Sequence, residues 1–291
     1  MAGWPDLGAP ELVERLGLDE ERFLALVTAW VRGVGERPCD AGLVAQAIGY
    51  PWERPERSYL LRAEAVLELD DMDTAEHSAV LERFLADDRH RLVAIGSNGA
   101  PVQLVRKLAH FETPEDRELL VLTGHLHDVD VGVAAQPTLY GSMPATLFES
   151  PGTAVRAAVL LVTSAQLTQL AWSELTYRFG RLHARFEADD DHLALDGVLG
   201  FVSRFGAFCP GGEPAALAAI PARNRSAPEL TQEQMLDAAA RMCLGPDAGA
   251  EDLVRAVFAD YAGLFDRFEG TLWAARRAFS PERFTPYAAP T

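Results

Sequence analysis

Leu92-Val93-Ala94-Ile95-Gly96-Ser97-Asn98-Gly99 runs from four apolar residues into two glycines that bracket a Ser and an Asn. A short apolar run bounded by a turn signal reads as a buried strand, and glycine lets the backbone turn sharply at its end. Outward from this stretch, Pro101 opens a candidate helix over 102–108. Leu119 to Val133 is β-branched and alternating, while 145–148 and 155–162 read as paired strands around the turn Ser150-Pro151-Gly152. A helix follows from Ala165, and further strand signals lie at 182–186 and 199–205. Strands mixed with few helices and joined by short Gly/Pro turns predict an α+β domain or small barrel, not a regular βαβ array.

Both flanks read as helical. Pro10 to Leu16 is a short periodic run ended by Gly17. Asp19 can cap a longer run in which Phe23, Leu24, Val27, Trp30 and Val31 recur at helical spacing until Gly33 and Gly35. Residues 43–48 form a short apolar run, Tyr50-Pro51-Trp52-Glu53-Arg54-Pro55 is a loop, and a helix is predicted over 74–85. In the tail, Thr231 is an N-cap with Gln234 at N3, and one long helical run is predicted over 251–279. Its stripe of Leu253, Val257, Tyr261, Leu264, Phe265, Phe268 and Leu272 would pack on its own domain or against a second copy, so a homodimer through the flanks stays open. The expected divisions are a helical 1–90, a mixed-strand 91–210 and a helical 211–291.

Among the 291 residues, 48% are apolar, enough for a sizeable core, and the formal net charge is −17. That charge repels a phosphate backbone and anionic lipid, so neither nucleic acid nor a membrane is an expected partner. The N-terminal Met1-Ala2-Gly3-Trp4-Pro5-Asp6 lacks the basic and apolar regions of a signal peptide. The longest uncharged apolar stretch, 157–171, is too short and too polar to cross a bilayer. Cys39, Cys209 and Cys243 are odd in number, far apart and without a C-x-x-C, which argues against disulfides and a zinc site and for a reducing cytoplasm.

Glu174 is the most informative candidate. On a helix capped by Ser164, Leu167, Leu170 and Ala171 form an apolar stripe whose next position is Glu174, so a carboxylate stands where a core residue belongs. It is either solvated beyond a frayed helix end or partly desolvated, as a general acid/base requires. The loop Ile95-Gly96-Ser97-Asn98-Gly99 can aim backbone N–H groups at one point, a nest for a carboxylate or oxyanion, with an ordinary turn as the plain alternative. It matches no nucleotide-phosphate motif. His125 and His127 share a strand face, as a metal pair could, with His110, His183 and His192 as distant additional ligands; an exposed strand edge is the plain alternative. Asp189-Asp190-Asp191-His192 reads as a solvated turn, and Cys209 as structural rather than nucleophilic. Arg178, Arg181, Arg185, Arg223 and Arg225 read first as surface ion pairs and second as partners for a substrate carboxylate.

Together these blocks resemble the γ-glutamylcyclotransferase-like family over about residues 91–190. Ile95-Gly96-Ser97-Asn98 resembles the family's Tyr-Gly-Ser-Asn loop. The segment from Leu139 and Tyr140 through Ala145-Thr146-Leu147-Phe148 to Ser150-Pro151-Gly152 is similar to its central block. The run 155–162, Gln166 to Leu170 and then Glu174, followed by Tyr177 and Phe179, resembles the strand, helix and catalytic Glu. Ile95 stands where the family's loop opens with Tyr, and Leu175 where many members carry Gly.

The resemblance implies a small mixed-strand barrel with helical N- and C-terminal additions. It implies an enzyme that releases 5-oxoproline and an amine or amino acid from a γ-glutamyl amide, with Glu174 as general acid/base. Ile95, Gly96, Ser97, Asn98, Tyr140 and Tyr177 would bind the small-molecule substrate, and no metal or organic cofactor is required. The alternative is a non-catalytic, diverged barrel that binds an amino-acid-like ligand or a protein partner.

Overall fold

A computed structural model describes residues 4–62, 64–86, 88–190 and 193–288. Its principal strands are β1 (Tyr59–Arg62), β2 (Ala65–Glu68), β3 (His90–Ala94), β4 (Leu119–Val133), β5 (Ala145–Val162), β6 (Tyr177–Leu182), β7 (Phe186–Ala188), β8 (Ala194–Leu195) and β9 (Leu199–Ser203). Shorter strands follow: β10 (Ala207–Phe208), β11 (Ala216–Leu217), β12 (Ala222–Arg223), β13 (Glu229–Leu230), β14 (Arg276–Arg277) and β15 (Phe284–Pro286). The main sheet runs β15-β6-β9-β3-β5-β4-β1-β2, with β12 added to β5, β7 added to β4 and β8 added to β7. Neighbours are antiparallel except β3 and β9, so the sheet is mixed.

Alternation along the strands divides the core in two. Leu92 and Ala94 of β3 face one way with Val121 and Leu160, under α1 (Pro10–Leu16), while α2 (Glu20–Arg32) lies on the other face. Val93 faces the other way with Leu120, Leu122, Val159 and Leu161, where α2, α3 (Ala41–Ile48) and α4 (Thr74–Ala86) pack. The first face is closed by α5 (Pro101–Leu108) and α6 (Ser164–Trp172). The second is closed by α7 (Gln232–Leu244), α8 (Ala250–Ala259) and α9 (Tyr261–Phe268). A sheet covered on both faces needs apolar residues at successive positions, which is why β3 and the second half of β5 read as continuous apolar runs. Among the described residues no helix is long and apolar enough to cross a membrane.

The architecture is α+β with a large mixed sheet, and it corrects the expected closed barrel: β2 and β15 end the strand path and do not pair with each other among the described residues. The turn Ser150-Pro151-Gly152 also forms differently. Residues 145–162 are one strand, and both halves pair with β4 instead of with each other. Register slips where Val129 faces both Glu149 and Ala154, so the intervening residues bulge outward. Asp128, at φ 62°, takes the Gly152 N–H on Oδ1 at 3.0 Å and holds the bulge.

The flanks depart from a purely helical reading as well. Leu60 and Leu61 of β1 are both fully buried, one in each core, so the hairpin β1–β2 lacks the alternation that would have marked it. The run 251–279 breaks at Asp260, whose carboxylate accepts the Gly263 N–H at 2.9 Å and starts α9. Chain beyond α9 returns to strand, β14 on β10 and β15 on β6.

Two capping boxes set helix starts. Thr231 and Gln234 exchange bonds at the start of α7 as the sequence predicts. At α6 the cap is Thr163, one residue before the expected Ser164, with Gln166 closing the box. Gln166 is also tied to the carbonyls of Asp116 and Glu118 at 2.8 and 3.0 Å. Thr163→Ala should therefore destabilise the protein by about 0.5–2 kcal/mol in urea unfolding.

Candidate functional site

Glu174 lies just beyond the end of α6, which stops at Trp172 because the chain turns there: the Glu174 N–H reaches Ala171 O at 3.0 Å and its own carbonyl accepts from Tyr177 N–H at 2.9 Å. It is thus not a helical stripe position, yet its side chain is only 15% exposed. The groups around it come from α5 and from the turn before α5. Asn98 Nδ2 donates to Glu174 Oε1 at 3.0 Å, and Lys107 Nζ lies 3.3 Å from the same oxygen. Lys107 also donates to Asn98 Oδ1 at 2.5 Å and to Ser173 Oγ at 2.7 Å, so each of its three ammonium protons has an acceptor. Ser173 has a single hydroxyl proton. Its shorter contact is to Leu170 O at 2.7 Å, which leaves the 3.2 Å approach to Glu174 a minor share.

The loop before α5 forms a one-turn 3-10 helix over Ser97–Gly99, with Gly99 N–H bonded to Gly96 O and Ala100 N–H to Ser97 O, both at 3.0 Å. Gly96 must be small: a Cβ there would lie 2.5 Å from the Tyr50 hydroxyl and 3.3 Å from the Ala145 Cβ. Tyr50 accepts the Ala145 N–H at 2.9 Å, and Tyr177 donates to Ala145 O at 2.9 Å, so two phenols clamp the backbone of the residue that starts β5. Burial, with a smaller push from the Glu174 charge, raises Tyr50 to about 12 against the lowering effect of the Ala145 bond. Burial first, then Tyr50 and Glu174, likewise raises Tyr177. Both are neutral phenols at physiological pH.

These elements enclose a cleft of about 370 Å³. It gathers Ile95, Gly96, Ser97, Asn98, Tyr140, Glu174 and Tyr177 on one wall system, with Tyr140 61% exposed at the rim. Tyr50, Trp52, Arg106, Lys107 and Ser173 line it too and were not among the sequence candidates. A signal for one of them exists: Lys107 is the single lysine among 26 basic residues. Tyr50 and Trp52 carry no such mark, because they come from the N-terminal flank and meet the loop only in three dimensions.

The remaining candidates lie elsewhere. His125 and His127 face Asp189 at 3.8 Å and Glu187 at 3.4 Å. His183 is bonded to Glu282 O and Thr285 Oγ1, and His110 stacks on Phe111. Among the described residues no three metal-ligating side chains converge, and His192 and Asp191 lie outside the described residues. The expected solvated turn is corrected at Asp190, only 7% exposed, bonded to Ser58 Oγ and facing His77 at 3.6 Å. Cys209 is buried, its thiol pushed up by burial, and it donates to Ala207 O at 3.5 Å. Arg178, Arg181, Arg185, Arg223 and Arg225 do not line the cleft. Arg225 is no surface residue: it is 5% exposed and forks onto Asp130, Nε to Oδ2 at 2.8 Å and Nη2 to Oδ1 at 2.9 Å.

No family model matches this chain, and no curated protein matches it. Among solved structures, the crystal structure of YkqA from Bacillus subtilis matches it with a TM-score of 0.32 and 16% sequence identity, over 70% of this chain and 71% of that one. A match this remote carries no chemistry.

Proposed function

We propose that this protein cleaves a γ-glutamyl amide by cyclisation, releasing 5-oxoproline and an amine or amino acid, with Glu174 as general acid/base. One observation carries the reading. Glu174 and the Gly96–Asn98 loop, 76 residues apart in sequence, meet through the 3.0 Å Asn98–Glu174 bond in a cleft of about 370 Å³. In this reading the open mixed sheet takes the place of the barrel of the γ-glutamylcyclotransferases. Residues 91–210 then supply the reacting groups and the 1–90 flank supplies walls such as Tyr50 and Trp52.

The chemistry follows from charge. The substrate's glutamyl end carries an ammonium and a carboxylate. Backbone N–H groups of Gly96, Ser97 and Asn98 hold the carboxylate, and the Glu174 oxygen not engaged by Asn98 and Lys107 receives the ammonium. Glu174 takes one ammonium proton, and the freed amine attacks the γ-carbonyl carbon, forming the lactam C–N bond. The amide C–N bond breaks as Glu174 returns that proton to the leaving nitrogen; the second proton lost by the ring nitrogen follows, and the product amine leaves protonated. Five-membered ring closure is intramolecular, so orientation and proton transfer are the main tasks left to the protein.

Lys107 holds the geometry. Its tetrahedral ammonium satisfies three acceptors that diverge, and a planar guanidinium cannot reproduce that arrangement. Lys107→Arg should lower 5-oxoproline release roughly 10–100-fold, the worth of one charge-assisted hydrogen bond, with kcat carrying most of the loss. A KM-only effect would remove Lys107 from the positioning of Glu174.

The same ion pair supports a second reading, a non-catalytic site for an amino-acid-like ligand in which Glu174 is held by Lys107 and only binds the ammonium. A panel of γ-glutamyl amino acids, peptides and amines, assayed for 5-oxoproline, separates the two. Turnover supports cyclisation, whereas calorimetric binding of glutamate without turnover of any panel member supports the binding site.

A further inference from the structure

A second cavity, of about 620 Å³, adjoins the Glu174 cleft and shares Trp52 and Ala94 with it. Its volume suits a small-molecule ligand. Pro51, Trp52 and Pro55, each partly exposed, give it apolar lining, and Arg54, Arg57 and Arg156, with His125 beside them, give it a basic side in a chain whose net charge is −17. Glu53 and Glu56 are the acidic residues of its lining, and both are exposed.

The cations are not equally occupied. Arg57 pairs with Glu68 at 3.3 Å and Asp70 at 3.6 Å, and Arg156 is bonded to Asp189 and to Glu56 O. Arg54 differs: among the described residues no carboxylate lies within ion-pair distance of it, and its one hydrogen bond runs from Nη1 to Ile95 O at 2.9 Å. Its pKa is lowered chiefly by burial, with Arg156 adding to the effect and Tyr50 opposing it. His125 is lowered by burial, then by Arg223 and Arg156. A half-buried guanidinium beside other cations, with most of its fork unused, favours an anion arriving from outside.

We propose that this cavity binds a small organic anion, a carboxylate or phosphate monoester on a flat apolar body, with Arg54 taking the charge and the Trp52 ring and Pro55 the body. The site is separate from the Glu174 cleft and does not depend on the cyclisation reading. It is joined to that cleft, because the guanidinium that takes the anion also holds the carbonyl of Ile95 at the start of the Gly96–Asn98 loop.

Isothermal titration of the full chain with benzoate and with phenyl phosphate tests it, the stronger of the two identifying the anion. Saturable binding is expected, weakened at least about tenfold in Arg54→Met, the scale of one lost charge-assisted bond, and kept within a few-fold in Glu174→Gln. If Arg54→Met fails to fold, Arg54→Lys keeps the charge without the fork and should still weaken binding several-fold. Absence of saturable binding with both probes, affinity unchanged in the Arg54 variants, or loss in Glu174→Gln would each overturn the proposal. The last would place the ligand in the other cleft.

Discussion

Glu174→Gln should abolish 5-oxoproline release while leaving the fold in place. Glutamine keeps the length and shape of the side chain, and its amide oxygen can still accept from Asn98 Nδ2 and Lys107 Nζ, so the contacts that anchor position 174 survive. What disappears is the proton acceptor. General acid/base catalysis by a positioned side chain contributes about 10²–10⁴-fold, and a drop of that size is expected in kcat/KM for any γ-glutamyl compound the wild type turns over. Thermal unfolding of the variant should coincide with wild type within a few degrees. Turnover at the wild-type rate would take Glu174 out of the mechanism. Wild type without turnover would leave Glu174 as a ligand-binding carboxylate, the reading that the Lys107 pair supports.

The largest stability effect is expected at Arg225. Asp130 is 0% exposed and Arg225 5%, and their two bonds of 2.8 and 2.9 Å are supplemented by Arg225 Nη2 on Ile220 O at 2.6 Å and by the Val131 N–H on Asp130 Oδ1 at 2.8 Å. The pair ties the segment after β12 to the C-terminal part of β4. Arg225→Met strands a buried carboxylate, and breaking such a pair costs about 3–5 kcal/mol because the remaining charge loses its counter-ion and keeps only the Val131 N–H in place of water. Urea unfolding measures the loss. In the double variant Arg225→Met with Asp130→Leu no charge is left stranded, so much of the stability should return, and the non-additivity reports the coupling. A loss below about 1 kcal/mol in the single variant would mean that water reaches Asp130.

Several local features were legible because their causes are local. The Thr231–Gln234 cap needs only four residues in register, and it forms. Leu119 to Val133 and the helix opened by Pro101 follow from β-branching, alternation and a proline at the first helical turn, and both elements form over those residues. The Ser150-Pro151-Gly152 signal was local too, but its outcome was not. A turn and a bulge share the same residues, and β4, long enough to pair with both halves of residues 145–162, selected the bulge. In the run 251–279 the apolar stripe was real, and one side chain, Asp260, divided it by capping a new helix within it.

Glu174 was legible as a misfit, a carboxylate continuing an apolar stripe, although the structure places it after the helix and not on it. Its surroundings were not legible. Asn98, Lys107 and Ser173 converge on Glu174 only because α5 packs beside α6 on one face of the sheet, and Tyr50 reaches the loop from a flank that periodicity left without chemistry. The amino-acid sequence by itself determined the caps, the periodic elements and the placing of a carboxylate directly after an apolar stripe, because these depend on neighbours a few residues away. Tertiary structure alone decided that, among the described residues, the sheet stays open, Lys107 faces Glu174 and Arg54 meets no carboxylate. Those outcomes depend on which distant side chains share a desolvated space, and separation along the chain carries no information about that.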